Sequence, residues 1–151
     1  METGIGRFCV HNVFTVTRST TTGEAAALMR KHHVGALVVV EETRDGTVPV
    51  GLVTDRDIVV EVVAPGLSAQ AVKVGEIVQR PVVTIPEDAG YAETVRHMSV
   101  NGVRRMPVVD ARGALVGLIT IDDILHQLAA PLLALAELAG TERHYEIGTR
   151  P

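Results

Sequence analysis

The sequence predicts an α+β fold, mixed α/β in content, made of two similar halves and an extra C-terminal helix. Three observations predict it. Residues 24–29 (EAAALM) and 34–40 (VGALVVV) return 69 positions later as residues 93–98 (ETVRHM) and 103–109 (VRRMPVV), and a repeat on this scale marks two copies of one supersecondary unit. Valine-rich runs flank Asp45-Gly46, and similar runs flank Ala111-Arg112-Gly113; apolar runs joined by such turns are β-hairpin signals. Between them lie stretches with apolar residues three and four apart, the spacing of an amphipathic helix.

Each half then reads as short strand, helix, two hairpin strands, helix. Residues 13–16 (VFTV) form the first strand, matched at the shift of 69 by residues 82–85 (VVTI). Thr21-Thr22-Gly23-Glu24 has the spacing of a capping box, so a helix follows whose buried stripe is Ala25, Leu28 and Met29. Hairpin strands come at 36–41 and 48–53. Residues 51–54 (GLVT) meet their copies, 117–120 (GLIT), at a shift of 66, so the first half holds three extra residues between 41 and 48, where a hairpin tip tolerates them. A closing helix starts near Asp55. In the second half Pro86 and Glu87 open a helix with Tyr91, Val95 and Met98 along one face; strands at 105–109 and 114–119 follow, then a closing helix from near Ile121. Residues 129–139, rich in Ala and Leu, form the extra helix, with Pro131 in its first turn and Gly140 as its stop. It is more apolar than one face requires, so it serves either as a lid on its own core or as a contact with a second copy. Residues 141–151 show no periodicity. The domain reading is 6–65, 72–129, and a C-terminal helix and tail at 130–151.

Composition excludes several function classes. A chain of 151 residues that is 46% hydrophobic can bury one core or two small halves sharing one. The net charge of −4 and the lack of any block of Lys or Arg leave no footprint for a phosphate backbone, so nucleic acid is not an expected partner. No run approaches the roughly 18 apolar residues of a membrane span, and residues 1–10 lack the pattern of a signal sequence. The expectation is a cytoplasmic protein with no membrane partner. Cys9, the single cysteine, excludes an internal disulfide and reads as a small buried hydrophobe. Gly4-Ile5-Gly6 matches part of a dinucleotide loop but lacks the preceding strand and the third glycine. His32 and His33 are neighbours whose side chains diverge by about 100° on a helix, so they read as a solvated helix end and no metal site is expected. No nucleophile elbow, P-loop or paired acids stand out, so no enzyme is expected.

Two junctions carry a resemblance. Gly51-Leu52-Val53-Thr54-Asp55-Arg56-Asp57 and Gly117-Leu118-Ile119-Thr120-Ile121-Asp122-Asp123 occupy matching places in the repeat, and Arg105-Met106-Pro107-Val108-Val109-Asp110 accompanies the second. With these motifs the chain resembles a tandem pair of cystathionine-beta-synthase (CBS) domains, a Bateman module, over residues 6–129. The resemblance implies two pseudo-twofold-related units, each a three-stranded sheet with two helices, packed into one disc with two clefts between the halves. It implies a stand-alone regulatory module that holds no cofactor but binds an adenine-containing ligand such as AMP, ADP, ATP or S-adenosylmethionine. Output would pass through a homodimer or an unknown protein partner.

At the first junction the strand ends at Thr54 and the helix begins at once, so free backbone N–H groups and the positive end of the helix are expected to face the cleft as an anion site. A carboxylate at Asp57 suits a ribose diol, and a hydroxyl at Thr54 suits ribose or phosphate. The alternative is that Thr54 and Asp55 only cap the helix; the return of the pair as Thr120 and Asp123 favours a ligand. The resemblance completes the first cleft with Val83, Val103, Arg104 and Arg105 of the opposite half, and the second with Phe14, Val34, Gly35 and Ala36. The first gathers Arg56, Arg104 and Arg105, whose guanidinium forks suit phosphate. The second has Asp122, Gly35 and Ala36 in their place, a negative site expected to be degenerate, where Phe14 either stacks on a base or fills the pocket. The alternatives are a ligand-free interaction dimer and, more weakly, a histidine-based metal-linked sensor.

Overall fold

The computed structural model describes residues 4–149; Arg150 and Pro151, the end of the expected irregular tail, lie outside the described residues. In the first half, β1 (Thr15–Val16) runs parallel to β2 (Ala36–Thr43), which pairs antiparallel with β3 (Gly46–Thr54). In the second, β4 (Ile85–Pro86) runs parallel to β5 (Arg105–Val109), which pairs antiparallel with β6 (Leu115–Thr120). The two sheets have the same strand order. Their irregularities repeat too: the register slips between Val39 and Val40 and, at the equivalent place, between Val108 and Val109, leaving Val50 and Val116 as bulged residues.

Beside each bulge a glycine admits a segment that precedes the expected repeat. A Cβ on Gly51 would meet Val78 at 2.6 Å, and one on Gly117 would meet Cys9 Sγ and lie 2.8 Å from the Val10 carbonyl oxygen. These neighbours are themselves equivalent. Ile5 and Val74 are fully buried, Cys9 and Val78 nearly so, each pair 69 positions apart. Ile5–Arg7 forms a short 3-10 turn and α3 (Val74–Ile77) a single helical turn. Gly4-Ile5-Gly6 therefore belongs to the repeated unit: Ile5 anchors the second core and Val74 the first. Burial also pushes the Cys9 thiol above its usual pKa, in keeping with a packed hydrophobe.

The capping box of α1 (Thr22–His32) forms as expected, with Thr21 Oγ1 accepting from the Glu24 N–H at 3.1 Å and Glu24 Oε2 from the Thr21 N–H at 2.9 Å. Ala25 and Met29 are buried and Leu28 is half-buried. The expected start of the next helix is corrected. Pro86 ends β4 and the Glu87 N–H donates to the Val109 carbonyl, so both extend the sheet edge, and α4 (Tyr91–Asn101) begins after Gly90. Its inner face carries Thr94 rather than Val95: Val95 is 45% exposed, whereas Thr94 is buried with its hydroxyl donating to the Gly90 carbonyl. Both helices end in a left-handed residue, His33 at φ 54° and Gly102 at φ 63°.

The closing helices start at the expected residues and then diverge. After α2 (Asp55–Ile58) the chain continues as a π-helical stretch, Val59–Val63, and stops at Ala64-Pro65-Gly66, where Gly66 takes φ 75°. The equivalent residues are Ala130-Pro131-Leu132. Leucine resists the left-handed conformation that makes this exit, so the helix runs on. One helix, α5 (Ile121–Thr149), replaces the expected separate helix at 129–139, with Pro131 inside it and Gly140 passed without a stop. An interior proline costs a helix about 3 kcal/mol. By length and composition α5 is also apolar enough to cross a membrane, but His126, Gln127 and Glu137 break its apolar residues into runs well short of the roughly 18 expected of a span.

Candidate functional site

The residues predicted for the first cleft come together. Thr54, Asp55, Arg56 and Asp57 at the end of β3 and the start of α2 face Val83, ahead of β4, and Val103, Arg104 and Arg105 at the α4–β5 junction, around a cleft of about 890 Å³. This volume lies in the range of small-molecule sites, on the order of 300–1,000 Å³. Leu52, Ile77, Val78 and Val82 add apolar wall, and Glu61, Arg80 and Asn101 add polar groups. Arg80 was missed by sequence reasoning. It lies in the connection between the halves, and the shift of 69 pairs it with His11, so following the repeat one step ahead of the strand would have found it.

The helix start corrects the expected anion site. Thr54 Oγ1 accepts from the Asp57 N–H at 3.1 Å, and Asp57 Oδ2 accepts from the Thr54 N–H at 2.8 Å. The Asp55 N–H donates to the Gly35 carbonyl at 3.0 Å, and the Arg56 N–H to Asp55 Oδ1 at 2.8 Å. The first donors of the helix are therefore spent, and none is left for a phosphate. Thr54, not Asp55, is the cap. The same box closes α5: Thr120 Oγ1 accepts from the Asp123 N–H at 3.2 Å, while Asp123 Oδ2 accepts from the Thr120 N–H at 2.8 Å and from its hydroxyl at 2.7 Å. Capping thus accounts for the return of Thr and Asp in both halves, which sequence reasoning had credited to a ligand. What Asp57 retains for a ligand is Oδ1 and a second lone pair on Oδ2.

Positive charge in the cleft comes from side chains. Among the described residues, Arg56, Arg80, Arg104 and Arg105 form no ion pair within the cleft or outside it. Guanidinium groups without a carboxylate partner favour an anion; Arg56, Arg80 and Arg104 are exposed and Arg105 is half-buried. The carboxylates of Asp55, Asp57 and Glu61 keep the cleft from being uniformly basic.

The residues of the second cleft are engaged otherwise. The rings of Phe14 and His32 stack with centroids 3.9 Å apart and planes at 17°. Their repeat equivalents are Val83 and Asn101, both of which line the open cleft. The positions that leave room in one half hold a stacked pair in the other. Val34 packs on the first core, Ala36 is buried at the start of β2, and the Gly35 carbonyl holds the start of α2. Asp122 and Asp123 stand where the first cleft has Arg56 and Asp57, with no arginine at the places of Arg104 and Arg105. Among the described residues no three His, Cys, Asp or Glu side chains gather as a metal site would need.

The CBS-domain family model matches residues 5–64 and again 74–130. The chain belongs to the CBS-domain family. A CBS-domain relative from Methanopyrus kandleri, an uncharacterized protein, is 37% identical over 133 residues, covering 88% of this chain and 66% of its own length. The chain spans 32% of a second archaeal relative. Among solved structures, hypoxic response protein I with two coordinated zinc ions superposes with a TM-score of 0.71 at 31% identity, over 82% of this chain and 98% of its own. A CBS domain pair in complex with 5'-methylthioadenosine and S-adenosylmethionine superposes with a TM-score of 0.72 at 25% identity, over 87% of this chain and 99% of its own. The tandem CBS architecture, two three-stranded sheets with their helices, is common ground with these structures; this chain carries in addition the long C-terminal helix α5.

Proposed function

We propose that this CBS pair is a regulatory module that binds one anionic adenine nucleotide in the Thr54–Asp57 cleft and passes the signal on through a dimer or a protein partner. The observation that carries the reading is a roomy cleft in which four arginines, without ion-pair partners among the described residues, stand near a carboxylate with a free oxygen. Arg56, Arg104 and Arg105, joined by Arg80, hold the phosphates; Asp57 accepts from the ribose diol; Val83, Val103 and Ile77 pack on the base. The CBS pair that holds S-adenosylmethionine and 5'-methylthioadenosine supports the adenosyl part of the reading. Charge selects within that class, because a sulfonium cation gains nothing from arginines whereas each phosphate does. The ligand acts by its differential affinity for two packings of the halves, as any such switch must.

Calorimetry with AMP, ADP, ATP and S-adenosylmethionine tests this. Affinity should rise with phosphate number, and Arg104→Ala with Arg105→Ala should weaken ATP more than adenosine. Equal binding of S-adenosylmethionine and ATP would overturn the charge argument. A second reading, a ligand-free interaction protein, is favoured by the two complete capping boxes; it predicts no thermal stabilisation by any of the four compounds. The metal-linked reading draws on the zinc-holding neighbour alone.

A further inference from the structure

Asn101 is the last residue of α4 and lines the open cleft together with Val83 and Val103. The helix end holds it in place. Gly102 takes φ 63° and its N–H donates to the Met98 and Ser99 carbonyls, while the Val103 N–H donates to the Met98 carbonyl at 3.0 Å. The side chain is held as well: Asn101 Nδ2 donates to the His97 carbonyl at 2.8 Å. A carbonyl accepts only from a donor, so the amide nitrogen is the group spent on the helix. Oδ1, which has no partner among the described residues, is the group left for a ligand.

The repeat shows what lies against this position. At the shift of 69, Asn101 corresponds to His32 and Val83 to Phe14, and in the first half those two rings stack with centroids 3.9 Å apart. Positions 83 and 101 are therefore neighbours. Valine and asparagine are shorter than the two rings, so the second half leaves open the space that the rings fill in the first. Val83 and Val103 also pack on the second core, which fixes this apolar wall, and a base lying on it comes within reach of Asn101.

We propose that Asn101 sets the base specificity of the cleft, its Oδ1 accepting from the 6-amino group of adenine. The inference rests on the reading of the cleft as a nucleotide site. Adenine offers a donor where a 6-oxo purine such as guanine or hypoxanthine offers an acceptor. Against Oδ1 the oxo group leaves two acceptors facing each other, and turning the amide to present Nδ2 instead breaks the bond to the His97 carbonyl. Discrimination of this kind comes from the polar groups that the wrong ligand leaves unpaired. The arginines grip the phosphates of every nucleoside triphosphate alike and add nothing to it.

ATP and inosine triphosphate carry the same ribose and phosphates and differ only in the base. Titration calorimetry of both, on the wild type and on Asn101→Ala, tests the proposal. The wild type should bind ATP about tenfold more tightly than inosine triphosphate, the net worth of one hydrogen bond, and Asn101→Ala should bring the two within about twofold, chiefly by losing ATP affinity. Asn101 is exposed and alanine is a good helix former, so thermal unfolding should show the variant folded. A loosened helix end would weaken both nucleotides equally and leave their ratio standing. Equal binding of the two by the wild type, or a preference that survives Asn101→Ala, would overturn the role of Asn101 and leave the nucleotide site in place; binding of neither would overturn both.

Discussion

Asparagine at position 57 separates the two jobs of its carboxylate. In the structure Asp57 Oδ2 accepts the Thr54 N–H at 2.8 Å, while Oδ1 has no partner among the described residues. The asparagine carbonyl oxygen can keep the first bond, so Asp57→Asn should cost folding stability no more than about 1 kcal/mol, the worth of a cap. The second oxygen, however, becomes an amide donor facing two ribose donors, and the charge is gone. Hydrogen bonds to a charged acceptor are worth about 1.5–3 kcal/mol each. Losing the equivalent of one weakens nucleotide binding by roughly 10- to 150-fold at about 1.4 kcal/mol per tenfold. The repeat supplies an internal control. Asp123 makes the same box at 2.8 Å but sits in a half with no arginines at the equivalent positions, so Asp123→Asn should cost similar stability and change ATP affinity less than twofold. Titration calorimetry reads the affinity and thermal unfolding reads the stability. Equal losses of affinity in the two variants, or none at Asp57→Asn, would refute the assignment of the ribose to Asp57.

Three further outcomes follow from the fold. Gly66→Ala places a side chain at φ 75° with no atom within 4 Å of its Cβ, so the cost is backbone strain alone, about 1–2 kcal/mol, read as a lowered midpoint in urea. Gly117→Ala drives a methyl group against Cys9 and the Val10 carbonyl, and should cost more, on the order of 1–3 kcal/mol of overpacking plus displacement of the leading segment; a Gly117→Ala/Cys9→Ala pair should recover part of it. The Ala114 N–H, followed by the Arg112 N–H and guanidinium, holds the Asp110 carboxyl below its usual pKa. A depressed folded pKa contributes stability above the unfolded value, near 3.9, that is lost as pH falls through the folded one. Asp110→Asn should therefore lower stability at pH 7 and flatten the decline below about pH 4, measured by thermal unfolding across pH.

The parts legible in the sequence were those that a repeat writes twice in side-chain type. Valine runs with glycine-containing turns marked both hairpins, and Gly35 and Ala36, standing where the other half has Arg104 and Arg105, set the expectation of unequal clefts. The leading segments escaped because Ile5 and Val74, or Cys9 and Val78, share burial but not identity. The length of α5 escaped because Pro131 and Gly140 are ordinary boundary signals; the deciding residue is Leu132, where the first copy has Gly66, and its effect shows only when the two exits are compared. The helix start was misread for a different reason. A Thr-x-x-Asp junction offers the same groups to its own backbone as to a ligand, and spacing alone does not say which takes them.

The stoichiometry of ATP binding by titration calorimetry tests most directly whether each chain holds one competent nucleotide site. One site per chain is expected, lost in Arg104→Ala/Arg105→Ala and unchanged in Asp123→Asn. Two equal sites per chain, or no binding at millimolar ATP, would contradict it.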